Sequence, residues 1–166
     1  MTGSEFTILF KSKIDKSRSD VLVDFGLDIC ERLLPDYVSF SENRSWGNVG
    51  VLKDSINFCR KSKENTQNNP NPAIQNYLDK LNPNIPDLDE FGDFDGSYAL
   101  NASAAVYELL EYLLDKDTSH IYNISTYMTD TIDFKLGEAD PNLTNEELES
   151  HPDIINERKY QLGLIV

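Results

Sequence analysis

Residues 85–114, IPDLDEFGDFDGSYALNASAAVYELLEYLL, constrain the fold more than any other stretch of the chain. From about Tyr98 to Leu114, helical spacing puts Tyr98, Ala102, Ala105, Val106, Leu109 and Leu113 on one face, and Leu110, Tyr112 and Leu114 widen it. An apolar face this wide belongs at the centre of a helical assembly. The small residues Ala99, Ala102, Ala104 and Ala105 let neighbouring helices approach closely. The preceding loop has the opposite character. It carries Asp87, Asp89, Glu90, Asp93 and Asp95, with Leu88, Phe91 and Phe94 between them. A core helix led by an acidic, aromatic-bearing loop presents negative charge from a rigid base, which favours binding over catalysis.

The rest of the chain reads as helices around that one. Ser4 is a candidate cap for a first helix with Phe6, Leu9, Phe10 and Ile14 inward. Ser19 or Asp20 can cap a second, in which Val21, Leu22, Phe25, Ile29, Leu33 and Leu34 form a buried stripe interrupted by Gly26. Pro35 is expected to stop it and to open a short third helix through Phe40. After a turn at Trp46 and Gly47, Val49, Leu52, Ile56, Phe58 and Cys59 mark another helix, and residues 61–72 read as a polar, mobile loop. Further helices are expected through Ala73, Ile74, Tyr77, Leu78 and Leu81, and through Ile121, Ile124, Tyr127, Met128, Ile132 and Phe134, capped by Thr118 or Ser119. Thr144 and Glu147 fit a capping box. Pro152 opens a last helix with Ile154, Ile155, Tyr160, Leu162 and Leu164. No period-two strand pattern with hairpin signals competes, so an all-α, single-domain multi-helix bundle over residues 1–166 is expected.

Charge narrows the partners. Acids outnumber bases 29 to 15, a net charge of -14. Phosphate binding needs excess Lys and Arg, so direct nucleic-acid binding is not expected, nor is attachment to an anionic membrane. A basic protein is the natural partner of such a field, set against the plainer role of keeping the chain soluble. Cys30 and Cys59 lie in apolar helical patterns and read as buried free thiols of a cytoplasmic protein, with a disulfide between them as the alternative. The N-terminus lacks the features of a secretory signal, and no apolar run approaches the roughly 20 residues of a membrane span.

Candidate chemistries are weak. Read as a calcium loop from Asp87, the sequence puts Phe91 and Tyr98 at ligand positions; read from Asp93, it puts Tyr98 where glycine belongs. His120 and His151 lie in different segments without a ligand partner at helical spacing. No metal site and no cofactor is expected. Cys30 sits on an apolar face rather than in a cationic, exposed setting. Glu31 and Arg32 read as structural ion-pair formers with a neighbouring helix. No phosphate loop, nucleophile elbow or dinucleotide fingerprint is present, so the chain is not expected to be an enzyme.

The segments CERLLPDYVSF (30–40), IPDLDEFGDFDGSYALNASAAVYELLEYL (85–113) and LTNEELESHPDIINER (143–158) resemble, in order and spacing, the bacterial YjaG-like family, the domain of unknown function 416. That resemblance implies an all-helical domain and no established catalytic motif. The chain is more acidic and Asn-rich than the family pattern and shorter at its C-terminus. The resemblance, with that drift, suggests an immunity protein. It would neutralise a cognate toxin, most plausibly a nuclease of a contact-dependent growth inhibition system. The expected partner-binding residues are Asp87, Asp89, Glu90, Phe91, Asp93, Phe94 and Asp95, with at least one of the two phenylalanines plugging the bundle instead. A second acidic group, Glu138, Asp140, Glu146, Glu147 and Glu149, competes with that assignment, its plainer role being helix-start chemistry. The alternative is a housekeeping helical protein that forms its own oligomers. A third reading, a hydrolase, requires a convergent Cys/His/Asp pocket.

Overall fold

The structure is a computed structural model and describes residues 1–64 and 71–166. Among them are eight α-helices: α1 (Gly3–Ile14), α2 (Ser19–Arg44), α3 (Val49–Glu64), α4 (Asn71–Leu81), α5 (Phe94–Asp115), α6 (Thr118–Ala139), α7 (Asn145–Glu149) and α8 (Pro152–Leu164). A 3-10 turn at Asn82–Asn84 follows α4. No strand occurs among the described residues, so the fold is all-α.

The axis is α5, with α2, α3, α4 and α6 packed against it. Ala99, Ala102, Ala105, Val106, Leu109 and Leu110 of α5 are all buried. A Cβ placed on Gly26 of α2 would lie 2.6 Å from Cδ1 of Leu109. The glycine that weakens α2 locally, by about 1 kcal/mol relative to Ala, is therefore the residue that lets α2 close on α5. A ring of smaller elements completes the bundle. α1 rests on α6 and α8, and α8 bridges α6 and α2.

Pro35 does not break the chain into two helices. α2 runs from Ser19 to Arg44 with Pro35 inside it. The proline lies on the exposed side, where a carbonyl deprived of its N–H partner can be hydrated. On the opposite face Leu33, Tyr37 and Phe40 are each 1 % exposed or less, and their burial holds both halves in one register. The Tyr37 hydroxyl donates to the Asn84 carbonyl at 2.6 Å, and burial pushes its pKa up to about 12.

Several caps differ from expectation by one or two residues. Thr2, not Ser4, forms a capping box with Glu5 on α1. Asp117, not Thr118 or Ser119, caps α6. α2 begins after Arg18 without a side-chain cap, so neither Ser19 nor Asp20 takes that role. The Thr144–Glu147 capping box and the Pro152 start are as the sequence predicts. The expected loop over 61–72 is helical at both ends, since α3 continues through Glu64 and α4 begins at Asn71; its middle lies outside the described residues. Leu9, Phe134 and Tyr160, expected inward, are exposed. For Leu9 the reason is that α1 turns only one narrow line, Phe6, Phe10 and Ile14, toward the bundle, where Phe10 meets Phe25 of α2 and Tyr122 of α6.

Candidate functional site

The acidic loop divides its residues between building and display. Asp87 builds a turn: its carboxylate accepts the Asp89 amide at 2.9 Å, and its carbonyl accepts the Phe91 amide at 2.8 Å. Phe91 then turns inward, its ring 5.1 Å from Phe40 and 5.3 Å from Trp46 with edge-to-face geometry. Asp93 caps α5 by accepting the Gly96 amide at 2.9 Å, and pairs with Arg44 at the end of α2. The Gly96 amide and the Arg44 guanidinium together hold its carboxyl below the usual carboxylate range. This cap starts α5 at Phe94, a turn earlier than the apolar pattern indicates, and so places Phe94 and Asp95 on the helix. A Cβ at Gly96 would fall 2.0 Å from the Phe91 carbonyl oxygen, so only glycine lets the first turn of α5 lie against the loop.

What remains on display is Asp89, Glu90 and Asp95, all exposed and without a salt bridge among the described residues, together with the Phe94 ring. Phe94 stacks on Tyr98 with centroids 6.2 Å apart. With Phe134 of α6, Gly92, Asp93 and Ser97 it lines an open cavity of about 270 Å³. Tyr98, beneath Phe94, donates to Glu138 at 2.5 Å. Burial, then that hydrogen bond and the charges of Glu138, Asp36 and Asp95, push its phenol well above the usual tyrosine range. Lys135 of α6 sits over the Tyr98 ring, but Asp36 engages it at 2.9 Å. The site is an aromatic cleft with a negative rim, at the junction of the start of α5 and the end of α6.

Of the seven sequence-derived residues, Phe94 forms the cleft, Asp93 and Asp95 stand at it, and Asp89 and Glu90 are free on the loop. Asp87 and Phe91 serve the fold. Phe134 and Glu138 are the site residues that sequence reasoning did not assign to this surface; an aromatic inside an otherwise helical stripe gives no sign that its ring faces out. The second acidic group disperses. Glu147 belongs to the capping box. Asp140 accepts the Asn142 amide at 3.1 Å, and Glu149 binds Arg158 at 2.7 Å and the Gly3 amide. Only Glu138 is tied to the cleft, through the Tyr98 hydroxyl beneath Phe94, and Glu146 is exposed.

The residues weighed for catalysis have structural roles. Cys30 and Cys59 are free and wholly buried, and desolvation pushes both thiols up, away from the reactive thiolate. Glu31 pairs with Arg60 of α3. Arg32 grips Glu157 of α8 through both terminal nitrogens, at 3.0 and 2.5 Å. His151 accepts the Asp153 amide as the cap of α8. His120 has no partner at helical spacing but gains two across the turn. The tight α5–α6 turn brings it against Glu108 and Asp115 of α5, at 2.5 and 3.0 Å.

Comparison with known proteins places this fold. The chain is 25% identical over 152 residues to a protein of Escherichia coli K12 described as "Uncharacterized protein YjaG", covering 90% of this chain and 76% of that one. The Salmonella typhimurium protein of the same description matches equally. A crystal structure of a DUF416 family protein from Shewanella baltica OS155 superposes with a TM-score of 0.79 at 24% identity, over 93% of this chain and 80% of that one. No helix among the described residues is long and apolar enough to cross a membrane. The family model described as "Protein of unknown function (DUF416)" matches residues 10–166, and the chain belongs to that family.

Proposed function

We propose that the chain is a binding protein rather than an enzyme, and that its partner is a basic protein held at the Phe94–Phe134 cleft. The observation that carries this reading is the pairing of an exposed aromatic anchor with unneutralised carboxylates. Phe94 and Phe134 are 45% and 37% exposed; Asp95 follows Phe94 on the helix and Asp89 and Glu90 stand on the preceding loop, all three exposed and without salt-bridge partners among the described residues. Aromatic anchors in a pocket supply affinity; surrounding charge speeds encounter and rejects acidic competitors. A net charge of -14 extends the same field over the whole surface.

Within that class the favoured role is immunity: capture of a cognate bacterial toxin, a nuclease whose substrate cleft is necessarily basic, inside the cytoplasm. The free, buried Cys30 and Cys59 suit a reducing compartment. Purified protein would be used to capture partners from its native cells, and the captured polypeptides would be expressed with and without the chain. The proposal expects a basic polypeptide that kills cells alone and is harmless in combination. Capture of no basic partner overturns it.

A second reading, self-association, has its own observation. Ile8 and Leu9 of α1 are 70% and 48% exposed, with Met1 nearby in sequence at 40%. Light scattering separates the two. A dimer broken by Ile8→Asp favours self-association, and a concentration-independent monomer excludes it.

A further inference from the structure

A cluster at the opposite end of α5 stands apart from the cleft. α5 ends at Asp115, Lys116 takes a left-handed conformation at φ 60°, and α6 starts at Thr118. This tight reversal lays His120, in the first turn of α6, against a line of carboxylates on α5. Its Nδ1 lies 2.5 Å from Glu108 Oε2. Its Nε2 lies 3.0 Å from Asp115 Oδ2 and 3.9 Å from Glu111 Oε2. The His120 side chain is only 16% exposed, while Glu111 is 30% and Asp115 46% exposed, so the cluster opens to solvent on the Asp115 side.

We propose that His120 Nε2, Glu111 and Asp115 form a binding site for a divalent transition-metal ion, with Zn²⁺ as the best match. One ligand atom from each residue lies within 4.8 Å of the others. Donors bound to zinc at about 2.0–2.2 Å in tetrahedral geometry sit roughly 3.3–3.6 Å apart. The two imidazole-to-carboxylate distances, 3.0 and 3.9 Å, bracket that spacing, so small side-chain rotations close the set. One nitrogen with two carboxylates suits zinc better than calcium or magnesium, which take oxygen donors.

Two further features fit the ion. The ring is already oriented as a ligand: Glu108 holds Nδ1, and the other Glu108 oxygen accepts the Asn123 amide at 3.1 Å, so that carboxylate supports the ring and leaves Nε2 to coordinate. The charge is also out of balance. Three carboxylates converge on one imidazole, and among the described residues no lysine or arginine forms a salt bridge with any of them. A protonated ring supplies a single positive charge, whereas a divalent ion supplies two and leaves a solvent-facing position for water. The ion would staple α5 to α6 across their turn.

The test is calorimetric titration of Zn²⁺ into the metal-stripped full chain near neutral pH, with Co²⁺ absorption as a geometric readout. The expected result is one saturable ion per chain and an intense four-coordinate cobalt band. Glu108→Gln, which spares the ligands, weakens binding by about 10 to 100-fold. His120→Ala and Asp115→Asn, each checked for helicity, lose the cobalt band and weaken binding at least as much. Glu42→Gln removes an equal charge at the end of α2, beside the opposite end of α5, and leaves affinity unchanged. Affinity falls as pH falls, because the proton competes for Nε2. Absence of saturable binding, or His120→Ala and Asp115→Asn chains that bind like the parent, overturns the site and reduces the cluster to an ordinary ion-pair group.

Discussion

Phe91 and Phe94, three positions apart on either side of the start of α5, face opposite ways: the Phe91 ring meets Phe40 and Trp46 edge-on inside the bundle, while Phe94 stacks on Tyr98 at the surface and is 45% exposed. The Asp93 cap lies between them and starts α5. The two residues therefore separate stability from binding. Phe91→Ala is expected to destabilise the fold by about 2–3 kcal/mol, below the full cost of a wholly buried ring. Phe94→Ala should stay within about 0.5 kcal/mol of the parent, as a surface substitution. Urea unfolding of the two variants checks the contrast, and equal losses would contradict it.

A second expectation concerns the chain of polar groups that docks α8. Arg32 of α2 reaches Glu157, which is 5% exposed; Glu157 also accepts the Gln161 amide at 2.9 Å, and Gln161 accepts the Ser125 hydroxyl of α6 at 2.5 Å. Glu157→Ala removes the nearest acceptor of the Arg32 charge and the Gln161 amide, leaving Arg32 with Asp28 at 3.6 Å and the Gln161 amide with the Ser125 carbonyl at 3.5 Å. A cost of about 2–3 kcal/mol is expected, reduced from the range for a fully buried pair because Arg32 is partly exposed. Loss of protection in α8 amides, measured by hydrogen exchange, is expected to accompany it; an unchanged midpoint would contradict this role.

Acid should release the N-terminus first. Glu149 binds Arg158 and the Gly3 amide, tying the start of α1 to α7 and α8. The Arg158 hydrogen bond, outweighing the cost of burial, holds the Glu149 carboxyl below its usual range. A depressed carboxyl stabilises the fold above the ordinary glutamate pKa of about 4.3 and loses that contribution as pH falls through its folded value. Protection of the α1 amides, taken relative to the intrinsic exchange rate at each pH, should therefore fall as pH drops below about 4. Glu149→Gln should show the lower protection already at neutral pH, and identical profiles for the two proteins would count against the clamp.

The thiols give a fourth check. Cys30 and Cys59 are both 0% exposed, and burial pushes both up, so neither should react with an aromatic disulfide reagent in the native protein. Both should react in denaturant. Rapid native labelling of either would show that the α2–α3 contact opens readily.

Helix identity was legible wherever a long apolar stripe existed, as in α5, and wherever a start signal stood alone, as with the Thr144 cap and the Pro152 first turn. Pro35 misled because its local cost is small beside the burial of Leu33, Tyr37 and Phe40, which no local rule weighs. The acidic loop was legible as an acidic loop, but not the division of labour within it. Whether a carboxylate caps a helix, as Asp93 does, or stays free, as Asp95 does, depends on Gly96 and Arg44 meeting it in space. Phe134 and Glu138 reach the cleft, and His120 reaches Glu108, through the α5–α6 packing, a relation invisible to spacing along either helix.

The decisive measurement is a parallel capture from native cells with the parent chain and with a folded variant carrying Phe94→Ala, Asp89→Asn, Glu90→Gln and Asp95→Asn. The expected result is a basic polypeptide held by the parent and released by the variant, with growth rescued only by the parent when that polypeptide is expressed. Equal capture and equal rescue by both proteins would contradict binding at the Phe94–Phe134 cleft, and recovery of only the chain's own copies would contradict a basic partner altogether.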